Sequence, residues 1–358
     1  MKTFDPNVQK RYDAFWKGEA IDRFLTYIVV GNGNHQYFSD DMSDEEYIYQ
    51  KWKNIDARVQ KSVADYSRAT YYLDGFPTQF VNFGPGSLAP AIGGNYQFAR
   101  RTVWFDRHPI ITDWEHPPVL DFKPENDLWQ MTLEMTDKIL DAGTAYASIA
   151  DLGGTLDVVA SLRGTDNLLY DLYDYPEEVK ATSKRVNELW KYAYTVLADR
   201  ALARQDGTTS WMPVWCRGRY APLQCDFSAM ISPDMFAEFV LPDLKDLTEF
   251  LDNSIYHMDG IGEIPHLDHI LSIPRLNAIQ WTSGDGRPPV TDECWFEMYD
   301  QIQAAGKGLV LFVGANPDRL EKLLNHISPR GVFLSVGGCD HEKARYITDM
   351  IEKIGLGK

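Results

Sequence analysis

The chain predicts a (β/α)8 barrel, with an N-terminal helix and a long loop after the second strand, and three observations lead there. Eight short β-rich runs bounded by turn residues recur along 358 residues. Helical stretches with marked starts separate most of them. Polar side chains that bind metals or exchange protons cluster just where the runs stop, the end at which parallel α/β folds place their ligands. An open doubly wound sheet is the competing architecture. Its dinucleotide fingerprint is missing, since Gly31-Asn-Gly33-Asn-His35 lacks the third glycine and no helix obviously follows it.

In chain order the eight candidate strands are Leu25–Gly31, Thr70–Asp74, Ala145–Asp151, Thr209–Trp215, Ser254–Asp259, Asn277–Trp281, Leu309–Gly314 and Val332–Gly337. The helix starts come from capping chemistry. Ser43-Asp-Glu-Glu46 has the form of a capping box. Pro6, Pro124, Pro176, Pro233 and Pro317 suit the first helical position, where a missing N–H costs nothing. Asp5, Ser232 and Asn316 are suitable N-caps before three of them. An apolar stripe of Met235, Phe236, Phe239, Val240, Leu244, Leu247 and Leu251 predicts one helix from Pro233 to Leu251. Gly75–Pro118 is the one long irregular stretch, rich in Gly, Pro and aromatics. Such a loop is often a lid or a binding loop, although plugging the barrel or forming a dimer contact would also explain it.

Composition fits one globular domain over residues 1–358. Hydrophobic residues make up 44% of the chain, enough for a large core. No apolar run is long enough to span a bilayer, and the segment from Met1 to Pro6 begins an amphipathic helix without the apolar core of a signal peptide. Four cysteines do not make a disulfide framework in a chain of this size, so a reducing cytoplasm is expected. The net charge of −17 repels polyanions, which argues against nucleic acid as a partner.

The strand ends supply a constellation: Asn32 and Asn34, Asp74, Asp151, Trp215 with Cys216 and Arg217, His257 and Asp259, Gln280 and Trp281, Asn316, and Cys339 with Asp340. Each has a plainer explanation. Asp74, Asp151 and Asp340 stand where an aspartate often just caps a turn or helix, and Trp215 and Trp281 suit a core equally well. His257 and Asp259 are two apart on a strand and so share a face. With a thiolate from Cys339, which follows Gly337-Gly338, they make a donor set able to hold Zn²⁺ with an open position. Cys216 and Cys225 are further candidate ligands, Cys294 reads as core, and His266 and His269 read as edge residues of a helix. No GxSxG, HExxH or P-loop sequence occurs.

Two longer segments carry a family resemblance. Leu162-Arg-Gly-Thr-Asp through Tyr175-Pro-Glu-Glu178 resembles the LRG-acidic…PE helix of the uroporphyrinogen decarboxylase superfamily. Gln224-Cys-Asp226 through Ser232-Pro-Asp-Met-Phe-Ala-Glu-Phe-Val-Leu-Pro242 resembles its D…SP-x-x-F-x-E-F…P segment. The opening segment and the late Gly-Gly-Cys-Asp extend the match over almost the whole chain. The resemblance implies a barrel with its site at the strand carboxyl ends, and it makes a homodimer plausible.

Within that superfamily the residues resemble the cobamide-dependent methyltransferases more than the decarboxylases. The arginine-rich element by which the decarboxylases grip substrate carboxylates is replaced here by Ile28-Val-Val-Gly-Asn-Gly-Asn-His35. Arg163, Arg217 and Arg219 are too few for a tetrapyrrole. Asp74 falls near the decarboxylases' catalytic aspartate, which keeps decarboxylation of a porphyrinogen-like substrate as an alternative. His257 and Cys339 match the first and last zinc positions of the methyltransferases, and Asp259 replaces the middle cysteine. A carboxylate there suits an oxygen substrate better than a thiol.

The expected activity is transfer of a methyl group from a small methoxy or methylamine-type substrate to the cobalt of a corrinoid (cobalamin) carried by a separate protein. A non-catalytic small-molecule-binding barrel is the third reading. The expected roles are catalytic for Asp74, Asp226, His257 and Asp259, and metal-binding for His257, Asp259 and Cys339. Asn34, Asp151, Trp215, Arg217, Gln280 and Trp281 are expected to bind substrate.

Overall fold

In a computed structural model the chain is described over residues 5–31, 42–105 and 107–356. The expected strand-end residues Asn32 and Asn34 lie outside the described residues. Eleven strands are present among them: β1 (Leu25–Val30), β2 (Thr70–Leu73), β3 (Thr78–Gln79), β4 (Gln97–Phe98), β5 (Val103–Trp104), β6 (Tyr146–Ala147), β7 (Tyr220–Gln224), β8 (Asn253–Asp259), β9 (Ala278–Thr282), β10 (Gly308–Gly314) and β11 (Val332–Gly337).

Seven of them form one sheet in the order β2-β1-β11-β10-β9-β8-β7. Every pairing in it is parallel except that of β1 with β2. β3 and β6 make a separate parallel pair, and β4 and β5 an antiparallel one. The ladders therefore do not close into a ring. At one gap, the side chain of Gln205 bonds both the N–H and the carbonyl of Ala147, and the Ile149 N–H donates to Thr209 O. At the other, the Asp74 N–H donates to Thr26 O.

The interior is nevertheless shared. One buried cluster takes Leu25 and Tyr27 from β1, Phe76 just before β3, Tyr146 from β6, Tyr220 from β7, Ile255 from β8, Ala278 from β9, Val310 from β10 and Phe333 from β11. The helix Pro6–Trp16 closes its amino end with Tyr12, Phe15 and Trp16. A second, larger cluster lies between the strands and the outer helices and takes the alternate residues, such as Tyr256, Met258, Ile279 and Trp281. This two-residue alternation decides which side chains reach the interior.

Several expectations change. Thr70–Asp74 is not the second parallel strand. Leu73 adopts φ +52°, and Gly75 lies so close to Ile28 O that a Cβ there would stand 2.6 Å from it. The chain reverses at that point, so β2 runs antiparallel to β1 and β3 supplies the parallel strand. Thr209–Trp215 forms no strand; the strand is β7, which begins after Cys216 has bridged back to Thr208. The expected helix from Pro233 to Leu251 divides into Pro233–Phe239 and Leu241–Phe250, because Pro242 restarts it. Pro124 stands outside its helix, which begins at Asp127 under an Asn126 cap. Asp5, Ser43, Ser232 and Asn316 do cap helices. No helix among the described residues is long and apolar enough to cross a membrane.

Candidate active site

β8 brings His257 and Asp259 to the interior face at its carboxyl end. Asp226 reaches the same point from the turn that follows β7. Ligand atoms of Asp226, His257 and Asp259 all lie within 4.8 Å of one another, and among the described residues this is the one group of three or more such side chains able to hold a metal. His257 stands in register with Gln224 on β7 and Gln280 on β9, so three polar side chains form a row across neighbouring strands.

The second nitrogen of His257 is set by Gln280. Both protons of the Gln280 amide are committed, one to Trp281 O at 3.0 Å and one to Thr282 Oγ1 at 2.9 Å. Its oxygen therefore faces His257 Nδ1 and accepts from it. That fixes the tautomer of the neutral ring, with its lone pair on Nε2, 4.0 Å from Asp259 Oδ2. Trp211 holds the imidazole edge-on with ring centroids 5.0 Å apart.

Carboxylates crowd the mouth. Asp157, on the helix Thr155–Arg163, accepts the N–H of Asp226 at 3.1 Å and that of Phe227 at 2.8 Å. Burial, then the neighbouring Asp226 charge, pushes its carboxyl up to about 7. Burial also lifts Asp151 to about 6 against the bond it accepts from the Gly153 N–H, with Asp226 adding to the rise. Asp226 itself is raised by desolvation, an effect that His257 opposes and Asp259 reinforces. Behind the site the fully buried Glu263 accepts from the Tyr256 hydroxyl at 3.0 Å, and burial drives it up to about 9.

Beside Asp226 and Asp157 opens a cleft of about 370 Å³, walled by Trp104 and Phe105 from the long loop and by Phe227 and Met230. The loop is tied down by Arg163 of the LRG element. Arg163 donates to Ile111 O and Thr112 O, pairs with Asp171 at 2.5 Å and lies over the Trp114 ring.

Other expected site residues are placed elsewhere. Asp74 is fully buried at the amino end of β1, in ion pairs with Arg23 and Arg11 and accepting from the Thr26 N–H. The reversal of β2 carries it there, so it does not converge with His257. Trp215 and Arg217 precede β7 and pack at the same far end. The Trp16 indole donates to Trp215 O, Arg217 pairs with Asp13, and its guanidinium lies over the Trp215 ring. Trp281 points outward, against Trp295, because its neighbour Gln280 takes the interior face. Asp151 and Gln280 do stand at the site.

Cys339 is not one of the grouped donors. It is half-buried beyond β11, and desolvation and Asp340 raise its thiol. Cys216 and Cys225 are buried, and Cys294, expected in the core, is exposed. His266 is buried against Phe236 rather than at an edge. Sequence patterns do not single out Asp157, Gln224, Glu263 and Trp211 as site residues. Asp157 follows the Gly153-Gly154 turn, which was a usable signal; Trp211 had none, since it lies in a segment read as a strand.

Neither a family model nor a curated protein matches the sequence. Among solved structures, a methyltransferase from Methanosarcina mazei superposes with a TM-score of 0.63, at 13% identity, over 97% of this chain and 98% of that one. The chain thus shares, from end to end, the mixed α/β architecture of a methyltransferase, with its own grouping of Asp226, His257 and Asp259 at the carboxyl ends of the strands.

Proposed function

We propose that this protein is a methyltransferase on an interrupted (β/α)8 barrel, taking a methyl group from a small methylated compound and passing it to the cobalt of a corrinoid carried by a separate protein. The observation that carries the reading is the grouping of Asp226, His257 and Asp259, with Nε2 left free, beside a cleft of small-molecule size. The end-to-end likeness to a methyltransferase fold supports it.

The donors present fit a divalent ion, zinc being the expected one. They are one imidazole with its tautomer fixed and two carboxylates, within mutual reach of a single ion. Asp226 takes the place in this set that Cys339 was expected to fill. Two oxygens and a nitrogen make a hard site, suited to an oxygen-bearing substrate. Such an ion would supply Lewis acidity toward the methyl-bearing heteroatom. The chain's own residues do the rest. Gln280 holds the imidazole in orientation, and Trp104 and Phe105 keep water from the cleft. Asp151, with its carboxyl near 6, gives a proton to the departing heteroatom as its bond to the methyl carbon breaks.

Decarboxylation of a porphyrinogen is disfavoured by the same geometry. Among the described residues no lysine or arginine lines the cleft, and the carboxylates at the mouth repel a polyanion. The test is elemental analysis together with anaerobic methyl transfer to a reduced corrinoid, for wild type and for His257→Ala and Asp226→Asn. One divalent ion per chain and methyl transfer, both lost in the variants, are expected. Metal content and transfer unchanged in His257→Ala would overturn the reading. Coproporphyrinogen formed from uroporphyrinogen at an ordinary enzymatic rate would put decarboxylation in its place. Binding of a ligand with neither metal nor turnover would leave the non-catalytic barrel.

A further inference from the structure

The cleft beside Asp226 has a composition that the methyl-transfer reading does not require. Trp104, Phe105, Phe227 and Met230 form its apolar wall, and among the described residues Asp157 and Asp226 are the two ionisable side chains that line it. Among the described residues no lysine, arginine or histidine does so. Asp226 belongs to the grouped donors, but Asp157 does not. A divalent ion on Asp226, Asp259 and His257 would balance those two carboxylates and leave Asp157 as the acidic side chain of the recess outside the group. Charge of one sign in a recess with low-dielectric walls attracts the opposite sign strongly. The walls select the kind of cation. Aromatic faces and a thioether hold an alkylated ammonium, whose methyl groups shed water cheaply, better than a hydrated metal ion or a primary amine. Trp104 already accepts a cation on its ring: the Arg107 guanidinium lies 5.0 Å from the centroid and is also bonded to Gln97.

We propose that this cleft is a subsite for an N-methylated ammonium group, with Trp104 and Phe105 as the aromatic wall and Asp157 as the counter-charge. The substrate class this names is a methylated compound carrying a permanent positive charge. The proposal rests on the methyl-transfer reading only for the fate of the bound molecule; binding is independent of it.

The experiment is calorimetric titration of the full chain, loaded with zinc and zinc-free, with tetramethylammonium and choline. The uncharged isostere of choline, 3,3-dimethylbutan-1-ol, is the control. Both cations should bind, and the neutral isostere should bind at least about tenfold more weakly. Asp157→Asn and Trp104→Ala should each weaken the cations by about tenfold or more while leaving the neutral compound nearly unchanged. Trp104 is partly exposed, so its variant should fold even if Asp157→Asn, which also weakens a backbone tie to Asp226, does not. Equal binding of choline and its isostere, or no effect of Trp104→Ala, overturns the subsite. A chain that transfers methyl groups from a neutral ether but ignores both cations refutes this subsite and keeps the methyl-transfer reading. A chain that binds the cations but transfers nothing does the reverse.

Discussion

His257 is made useful by its neighbour on the next strand. With both Gln280 amide protons already spent, Gln280 offers the ring only an oxygen, and Nε2 becomes the free nitrogen. Gln280→Leu keeps the bulk and removes that oxygen, so the imidazole can turn and exchange tautomers. We expect divalent-ion affinity to fall about 10–100-fold, the usual cost of losing such a partner, with the thermal midpoint of the metal-free chain nearly unchanged; titration with zinc in a competing chelator checks it. Asp74 makes the opposite case. Read from sequence it is a catalytic acid, but it is fully buried against Arg23 and Arg11. Removing one partner of a buried ion pair leaves the other charge stranded, at a cost of about 3–5 kcal/mol. Asp74→Asn should therefore lower stability to denaturant by about that much, and the folded variant should keep its metal affinity. Loss of metal binding at unchanged stability would contradict this placement.

At the scale of elements, the LRG run is a fastening. Arg163 ends its helix beside the long loop, and its fork spans Asp171 and the carbonyls of Ile111 and Thr112. The loop in turn holds Trp104 and Phe105 over the cleft. Arg163→Ala strands Asp171 and two carbonyls, so we expect about 3 kcal/mol of destabilisation and faster proteolytic cutting between residues 75 and 118. Lysine, a point charge without the planar fork, should restore little. The loop's length and aromatics were legible in the sequence and suggested a lid or binding loop. The fastening itself was not, because Arg163 and Ile111 meet only after the chain has folded back. The same limit misplaced Trp215 and Trp281. A strand's side-chain period can be counted from sequence, but its phase is set by where the strand begins, and β7 begins after Cys216 rather than at Thr209.

At the scale of the whole molecule, carboxyls raised by burial make stability depend on pH. Asp243 is a clean probe, since it sits in the first turn of the helix Leu241–Phe250, outside the metal-binding group. Burial, with Asp246 adding and Lys191 opposing, pushes its carboxyl up to about 7 from an ordinary 3.8. The folded chain thus holds this proton more tightly than the unfolded one. The folded state binds more protons between those values, so stability falls as pH rises from about 4 to about 7. Asp243→Asn, which cannot ionise, should gain stability relative to wild type over that interval. Thermal midpoints of the two proteins from pH 4 to 8 should diverge as pH rises; a constant difference would show that Asp243 ionises as freely in the folded chain as in the unfolded one.

By itself the sequence determined the alternation of strands and helices, most of the helix caps and the pairing of His257 with Asp259 on one strand face. All of these depend on residues close together in the chain. Tertiary structure decided the rest. It reversed Thr70–Leu73 at a strained Leu73 and a crowded Gly75, and so sent Asp74 to the far end of the sheet. It put Asp226 beside His257 while Cys339 stayed outside the group, because the turns after β7 and β8 leave adjacent strands, whereas Cys339 leaves β11, three places from β8 in the sheet. Donor distance is a property of strand order, and strand order is fixed by long-range pairing that no local pattern encodes.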